Sequence, residues 1–179
     1  MLDYDKLFAD AEACGFTNWG KLDASTLEFL DDIRVMCTAD RCRRYGKTWS
    51  CPPACGTLEE IRAKMAPYKE GILVQTVGSL EDEFDYDSMV AAEKAHKEHF
   101  DKLLRLLRPL YPNMVPMAAG SCTRCETCTY PDAPCRFPEL MAPSMESYGL
   151  FVSQVCERNG LRYNYGKNTI AYTSCFLLV

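Results

Sequence analysis

Apolar positions recur at helical spacing in four stretches of the chain. Tyr4, Leu7, Phe8 and Ala11 share a face after Asp3, a capping residue, and Gly15 is placed to end that helix. Leu58, Ile61 and Met65 line a short second helix, which opens on the capping box Thr57-Leu-Glu-Glu60 and stops at Pro67. The longest stripe is Met89, Ala92, His96, Phe100, Leu103, Leu104 and Leu107. It predicts a helix over 88–108, halted by Pro109. After Pro143, Ser144 caps a fourth helix, with Tyr148, Phe151, Val152, Val155 and Cys156 on its face and Gly160 at its end.

Strand-like runs fall between these helices. Residues 16–22, around Trp19, form the first, and residues 71–77 the clearest. The unbroken apolar start of the latter suggests a strand covered on both faces. Residues 114–119 make a third run, and 168–179, rich in β-branched and aromatic side chains, a fourth. Residues 26–36 satisfy neither period. Helix and strand therefore alternate four times, which predicts a layered α/β or α+β fold with a central sheet of about four strands. No repeat or low-complexity linker divides the chain, so residues 1–179 read as a single domain.

Composition adds that 47 % of residues are apolar, enough for a core that does not depend on cysteine alone. A net charge of −5 argues against general nucleic-acid binding. The acidic start, Met-Leu-Asp-Tyr-Asp-Lys, has no apolar segment of a signal peptide, and no apolar run approaches a membrane span. Eleven cysteines are a large excess. In a chain without an export signal they point to thiolates used for metal in the cytoplasm, rather than to a disulfide scaffold.

Eight of those cysteines form two groups. Cys122, Cys125 and Cys128 stand at three-residue steps, and Cys135 follows after six residues and two prolines, within a loop at 121–138. Thiolates at i, i+3 and i+6 aim several sulfurs at one centre from a short backbone, the pattern with which bacterial ferredoxins begin. Here the last gap is longer, and Arg136 and Phe137 separate Cys135 from Pro138. Zinc ribbons instead place two Cys-x-x-Cys knuckles far apart, so iron–sulfur is the first reading and zinc the alternative. The other group, in a loop at 37–56, is Cys37, Cys42, Cys51 and Cys55, spaced C-x4-C-x8-C-x3-C. Pro52, Pro53, Gly46 and Gly56 supply its turns. This spacing favours metal, iron–sulfur ahead of zinc, but distinguishes them less sharply.

Arg41, Arg43, Arg44 and Lys47, with Tyr45 and Trp49, surround the first group; Arg124, Arg136, Tyr130 and Phe137 surround the second. Such cations raise a cluster's potential and aromatic cover excludes water, although a solvated surface or a dock for an acidic partner also accounts for the basic loop. Cys14, Cys156 and Cys175 lie on apolar faces and read as core packing. His96 and His99, the only histidines, read as structural or surface residues, and Glu126 as a solvated loop carboxylate. No nucleophile–base arrangement and no Gly-rich phosphate loop is present.

Three motifs together resemble one family: Tyr45-Gly-Lys-Thr-Trp-Ser-Cys-Pro-Pro, then Cys125-Glu-Thr-Cys-Thr-Tyr-Pro-Asp-Ala-Pro-Cys-Arg-Phe-Pro-Glu, then Pro143-Ser-Met-Glu-Ser-Tyr-Gly149. They are similar to the bacterial and archaeal "predicted metal-binding protein" family, a cysteine-rich domain of unknown function. The likeness runs from about Cys37 to the C-terminus. It implies metal binding, as iron–sulfur, through the two cysteine groups, and it supplies no reaction. The expectation is a small protein holding two [4Fe-4S]-type clusters and exchanging electrons with a redox partner protein. Two alternatives stand beside it. One is a structural metal protein presenting a binding surface; the other is an enzyme using an open cluster iron as a Lewis acid.

Overall fold

The structure, a computed structural model, describes residues 2–179. Helix α1, Tyr4–Cys14, starts where the Asp3 carboxylate accepts from Lys6 N–H and ends at Gly15, whose left-handed backbone only glycine adopts readily. Strand β1 spans Asn18–Asp23. It begins two residues later than the apolar run, because Phe16 N–H is held on the Ala11 carbonyl as part of the helix end. The ambiguous stretch resolves into a short 3-10 turn and helix α2, Asp31–Met36, which buries no side chain and so leaves no periodic signature.

Helix α3, Leu58–Met65, carries both arms of its capping box. Strand β2, Glu70–Ser79, is followed by the long helix α4, Tyr86–Leu107, which buries the predicted stripe from Ala92 to Leu107. Strand β3, Val115–Met117, leads into the second cysteine loop. The helix expected from Ser144 is instead broken in two: a 3-10 turn over Glu146–Tyr148, then α5, Val152–Arg158. Gly149 makes the break. It sits at φ 80°, and a Cβ there would stand 2.9 Å from the Leu30 carbonyl. Strand β4, Thr169–Leu177, closes the chain.

The sheet order is β1-β2-β4-β3, with every neighbouring pair antiparallel. The fold is therefore α+β, and the α/β alternative falls because no crossover joins parallel strands. Alternate residues face opposite layers. Ile72, Val74 and Phe176 pack on α1 and α4 with Leu7, Phe100 and Leu104. Leu73, Cys175 and Leu177 pack on α3 and α5 with Ile61, Met145 and Val155. Ile72, Leu73 and Val74 are all fully buried, so the apolar run does mark a strand covered on both faces. Among the described residues no helix is long and apolar enough to cross a membrane.

Candidate functional site

The first cysteine loop lies against the 3-10 turn at Glu146–Tyr148, which presents its carbonyls to it, whereas the second is held to α4 through Arg124 and Asp101. Cys37 follows α2 directly, and its Sγ lies 4.0 Å from the Glu146 carbonyl. Cys55, just before α3, donates to the Ser147 carbonyl at 3.6 Å. The Asp40 carboxylate shapes the loop between them, accepting from Tyr45 N–H at 2.8 Å and from Lys47 Nζ at 3.2 Å. Cys51 is buried and Cys42 exposed.

The first-group thiols sense one another. Burial pushes the Cys37 thiol up, the Arg34 guanidinium pulls it back, and charge on Cys51 or Cys42 would raise it further. Burial pushes Cys55 up to about 11, again against Arg34, with Cys51 and Cys37 adding to the rise. Arg34 was not among the loop cations singled out from the sequence, yet it is the cation acting on both thiols. It stands one helical turn before Cys37, the one signal that could have found it. Its Nη2 donates to the Gly56 carbonyl at 2.5 Å, while Nη1 is buried with no hydrogen-bond partner. A buried guanidinium donor without an acceptor calls for an anion at that position. Arg41, Arg43 and Lys47, expected to screen this group, are exposed instead.

In the second group, all four cysteines, Cys122, Cys125, Cys128 and Cys135, line one small, partly open cavity of about 20 Å³. Burial pushes the Cys122 thiol up, and the Arg124 backbone N–H and guanidinium draw it down. Phe137 N–H donates to Cys135 Sγ at 3.4 Å. Arg124 is held by the Leu140 carbonyl at 2.9 Å and by the Asp101 carboxylate, and Arg136 by the Thr127 carbonyl at 2.9 Å. Arg44, Trp49 and Ser50, from the first loop, complete the cavity wall. Two of the residues assigned from sequence to the first group thus serve the second. Trp49 Nε1 donates to the Ala133 carbonyl at 3.1 Å, and its ring meets Tyr130 edge-on at 4.9 Å.

The loops are therefore docked. Cys122 N–H donates to Ser50 Oγ at 3.1 Å, and that hydroxyl lies 3.8 Å from Cys51 Sγ. Nothing in the spacing announced Ser50 as the link. Among the described residues, however, no three His, Cys, Asp or Glu side chains close tightly enough to hold a single metal ion. Neither quartet meets at one point in the way the cysteine spacing suggested. None of the eleven cysteines is in a disulfide.

The remaining candidates are structural. Cys14, Cys156 and Cys175 are buried in the core. His96 is buried between Thr76 Oγ1 at 3.0 Å and Ser174 Oγ at 2.7 Å, and burial drives it down to about 3, so it is neutral. His99 shares the same Thr76 hydroxyl at 3.1 Å, and Glu126 is exposed. A cleft of about 680 Å³ runs between α4 and residues 118–124. Cys122 and Arg124 form a wall common to this cleft and the second cysteine cavity.

Comparison with known proteins adds one match. Residues 20–178 fit the family model described as "Predicted metal-binding protein (DUF2284)", so the chain belongs to that family. No curated protein and no solved structure matches.

Proposed function

We propose that this member of the predicted metal-binding family holds two iron–sulfur clusters and exchanges electrons with a partner protein. Cys37, Cys42, Cys51 and Cys55 would hold one cluster; Cys122, Cys125, Cys128 and Cys135 would hold the other. The observation that carries the reading is that four cysteines line one small cavity and the loop bearing them is hydrogen-bonded to the loop bearing the other quartet. Around a single tetrahedral zinc, with Zn–S near 2.3 Å, sulfurs stand about 3.8 Å apart. Among the described residues no three His, Cys, Asp or Glu side chains close on a single ion, whereas a cluster places its own atoms between the thiolates and asks for a less close approach. When bound, such a cluster stores and releases single electrons and, fully ligated, offers no open coordination position.

The chain's own groups suit that use. Arg34 brings a positive charge that acts on both Cys37 and Cys55, and its Nη1 is an unpaired buried donor. Phe137 N–H and Arg124 N–H donate to Cys135 and Cys122 sulfur, the kind of outer contact that sets a metal site's potential. Trp49 lines the second cavity, with Tyr130 packed edge-on against its ring. Thiolates in such numbers persist in a reducing compartment, and the cytoplasm suits them.

The test is spectroscopic. Protein prepared without oxygen is brown, bleaches on reduction and gives an EPR signal when reduced. A colourless protein with stoichiometric zinc contradicts the reading.

A second reading is an enzyme, favoured by the cleft that shares Cys122 and Arg124 with the second cavity. It predicts that a bulky residue in the cleft, Ala119→Trp, abolishes turnover of a small substrate while leaving iron content unchanged.

A further inference from the structure

The loop cations left unused by the first cysteine group form a surface of their own. Residues 40–47 carry four cations and one carboxylate, a net +3, in a chain of net −5, so the rest of the sequence carries −8. Lys47 is paired with Asp40, and Arg44 is turned to the second cavity. Arg41 and Arg43 are exposed and, among the described residues, make no ion pair. Positive charge is thereby concentrated in one loop of an acidic molecule.

Apolar surface stands beside it. Val35 is 62 % exposed and Met36 69 % exposed, consecutive residues at the end of α2, immediately before Cys37. Lone exposed apolar side chains need no explanation, but two adjoining a cationic loop have the make-up of an interface: Met and Arg are enriched there and Lys is depleted. Cys42, the most exposed of the eleven thiols, lies between Arg41 and Arg43. The one carboxylate within the loop, Asp40, is paired with Lys47 at 3.2 Å, and Asp31 and Asp32 sit at the start of α2, with Asp31 facing Arg62 at 3.8 Å.

We infer that this face, Val35, Met36, Arg41, Cys42 and Arg43, docks a small acidic electron-carrier protein. The inference rests on the electron-transfer reading and names where its partner binds. Arg41 and Arg43 steer and orient the partner's carboxylates, and Val35 and Met36 supply the apolar centre that is dried on contact. The partner is then seated over Cys42, at the edge of the first cysteine group. A nucleic acid would also meet cations, but an acidic chain with so small a basic patch does not present the long basic track such a ligand needs.

The test measures association of the metal-loaded chain with an acidic plant-type ferredoxin, and separately with a basic cytochrome c, in low salt. The wild-type chain binds the ferredoxin, and binding weakens at least tenfold between 50 and 500 mM salt, on the order expected when the Debye length shrinks several-fold. R41E/R43E weakens ferredoxin binding at least tenfold. M36S weakens it several-fold with the salt dependence unchanged. Cytochrome c binds the variant better than the wild type. No ferredoxin binding, or equal binding by wild type and R41E/R43E, overturns the docking face. Bleaching of the same samples by dithionite is read independently; its absence overturns the electron-transfer reading and leaves the binding result to decide the face.

Discussion

Ser50 Oγ accepts the backbone N–H of Cys122 at 3.1 Å, one of the bonds that tie together two loops 72 residues apart in sequence. Ser50 is fully buried, with Thr48 Oγ1 3.3 Å away on one side and Cys51 Sγ on the other. The hydroxyl is thus shared between one cysteine group's backbone and the other's sulfur. Its neighbour Trp49 reaches in the same direction, so consecutive residues fix the docking.

Ser50→Ala leaves the Cys122 amide unsatisfied in a water-poor junction. The expected cost is about 1–3 kcal/mol of stability, the penalty for orphaning one buried donor. Denaturant unfolding reads the loss, and hydrogen exchange at the Cys122 amide should accelerate. Unchanged midpoint and unchanged protection would mean that the loops dock by other contacts.

Arg34 makes a prediction that differs between the metal-free and loaded protein. Its Nη1 is buried and unpartnered but its Nη2 donates to the Gly56 carbonyl, so Arg34→Met in metal-free protein should cost about 1–3 kcal/mol, the penalty for orphaning that carbonyl. In loaded protein the same change removes a cation beside Cys37 and Cys55 and lowers the reduction potential of one centre only. A tenfold shift in its reduction equilibrium corresponds to about 59 mV. EPR-monitored redox titration measures it. Equal potentials in both proteins would separate Arg34 from the first centre.

How much of this was legible in the sequence depended on range. Asp3, Gly15 and the Thr57–Glu60 box act within a few residues, and the helices they bound are where their side chains implied. The α4 stripe was equally plain because six side chains from Ala92 to Leu107 are buried against the sheet. Helix α2 was not, since none of its residues is buried, and the Ser144 helix was over-extended because Gly149 turns left-handed against Leu30. The antiparallel order of the sheet was left open by simple alternation. The cysteines advertised themselves by spacing, but Arg34, Ser50 and the redirected Trp49 depend on contacts 22, 72 and 84 residues away. No local pattern encodes those.

His96 sets a pH dependence independent of any metal. Its folded value, about 3, lies below the ordinary value of 6.5, so the unfolded chain binds more protons between these limits. Stability is therefore fully present above pH 6.5 and falls as pH drops through that window, by roughly 5 kcal/mol in all. Unfolding measured from pH 7 to pH 4 should show the decline. His96→Gln, which cannot titrate, should be less stable at neutral pH and show a shallower slope. An identical slope in both proteins would place the acid sensitivity elsewhere.

The iron, zinc and acid-labile sulfide content of protein prepared without oxygen tests the central claim most directly. Two cubane clusters on eight thiolates predict about eight iron and about eight sulfide per chain, with no stoichiometric zinc. One or two zinc ions without sulfide, or thiols that take up no metal, would contradict it.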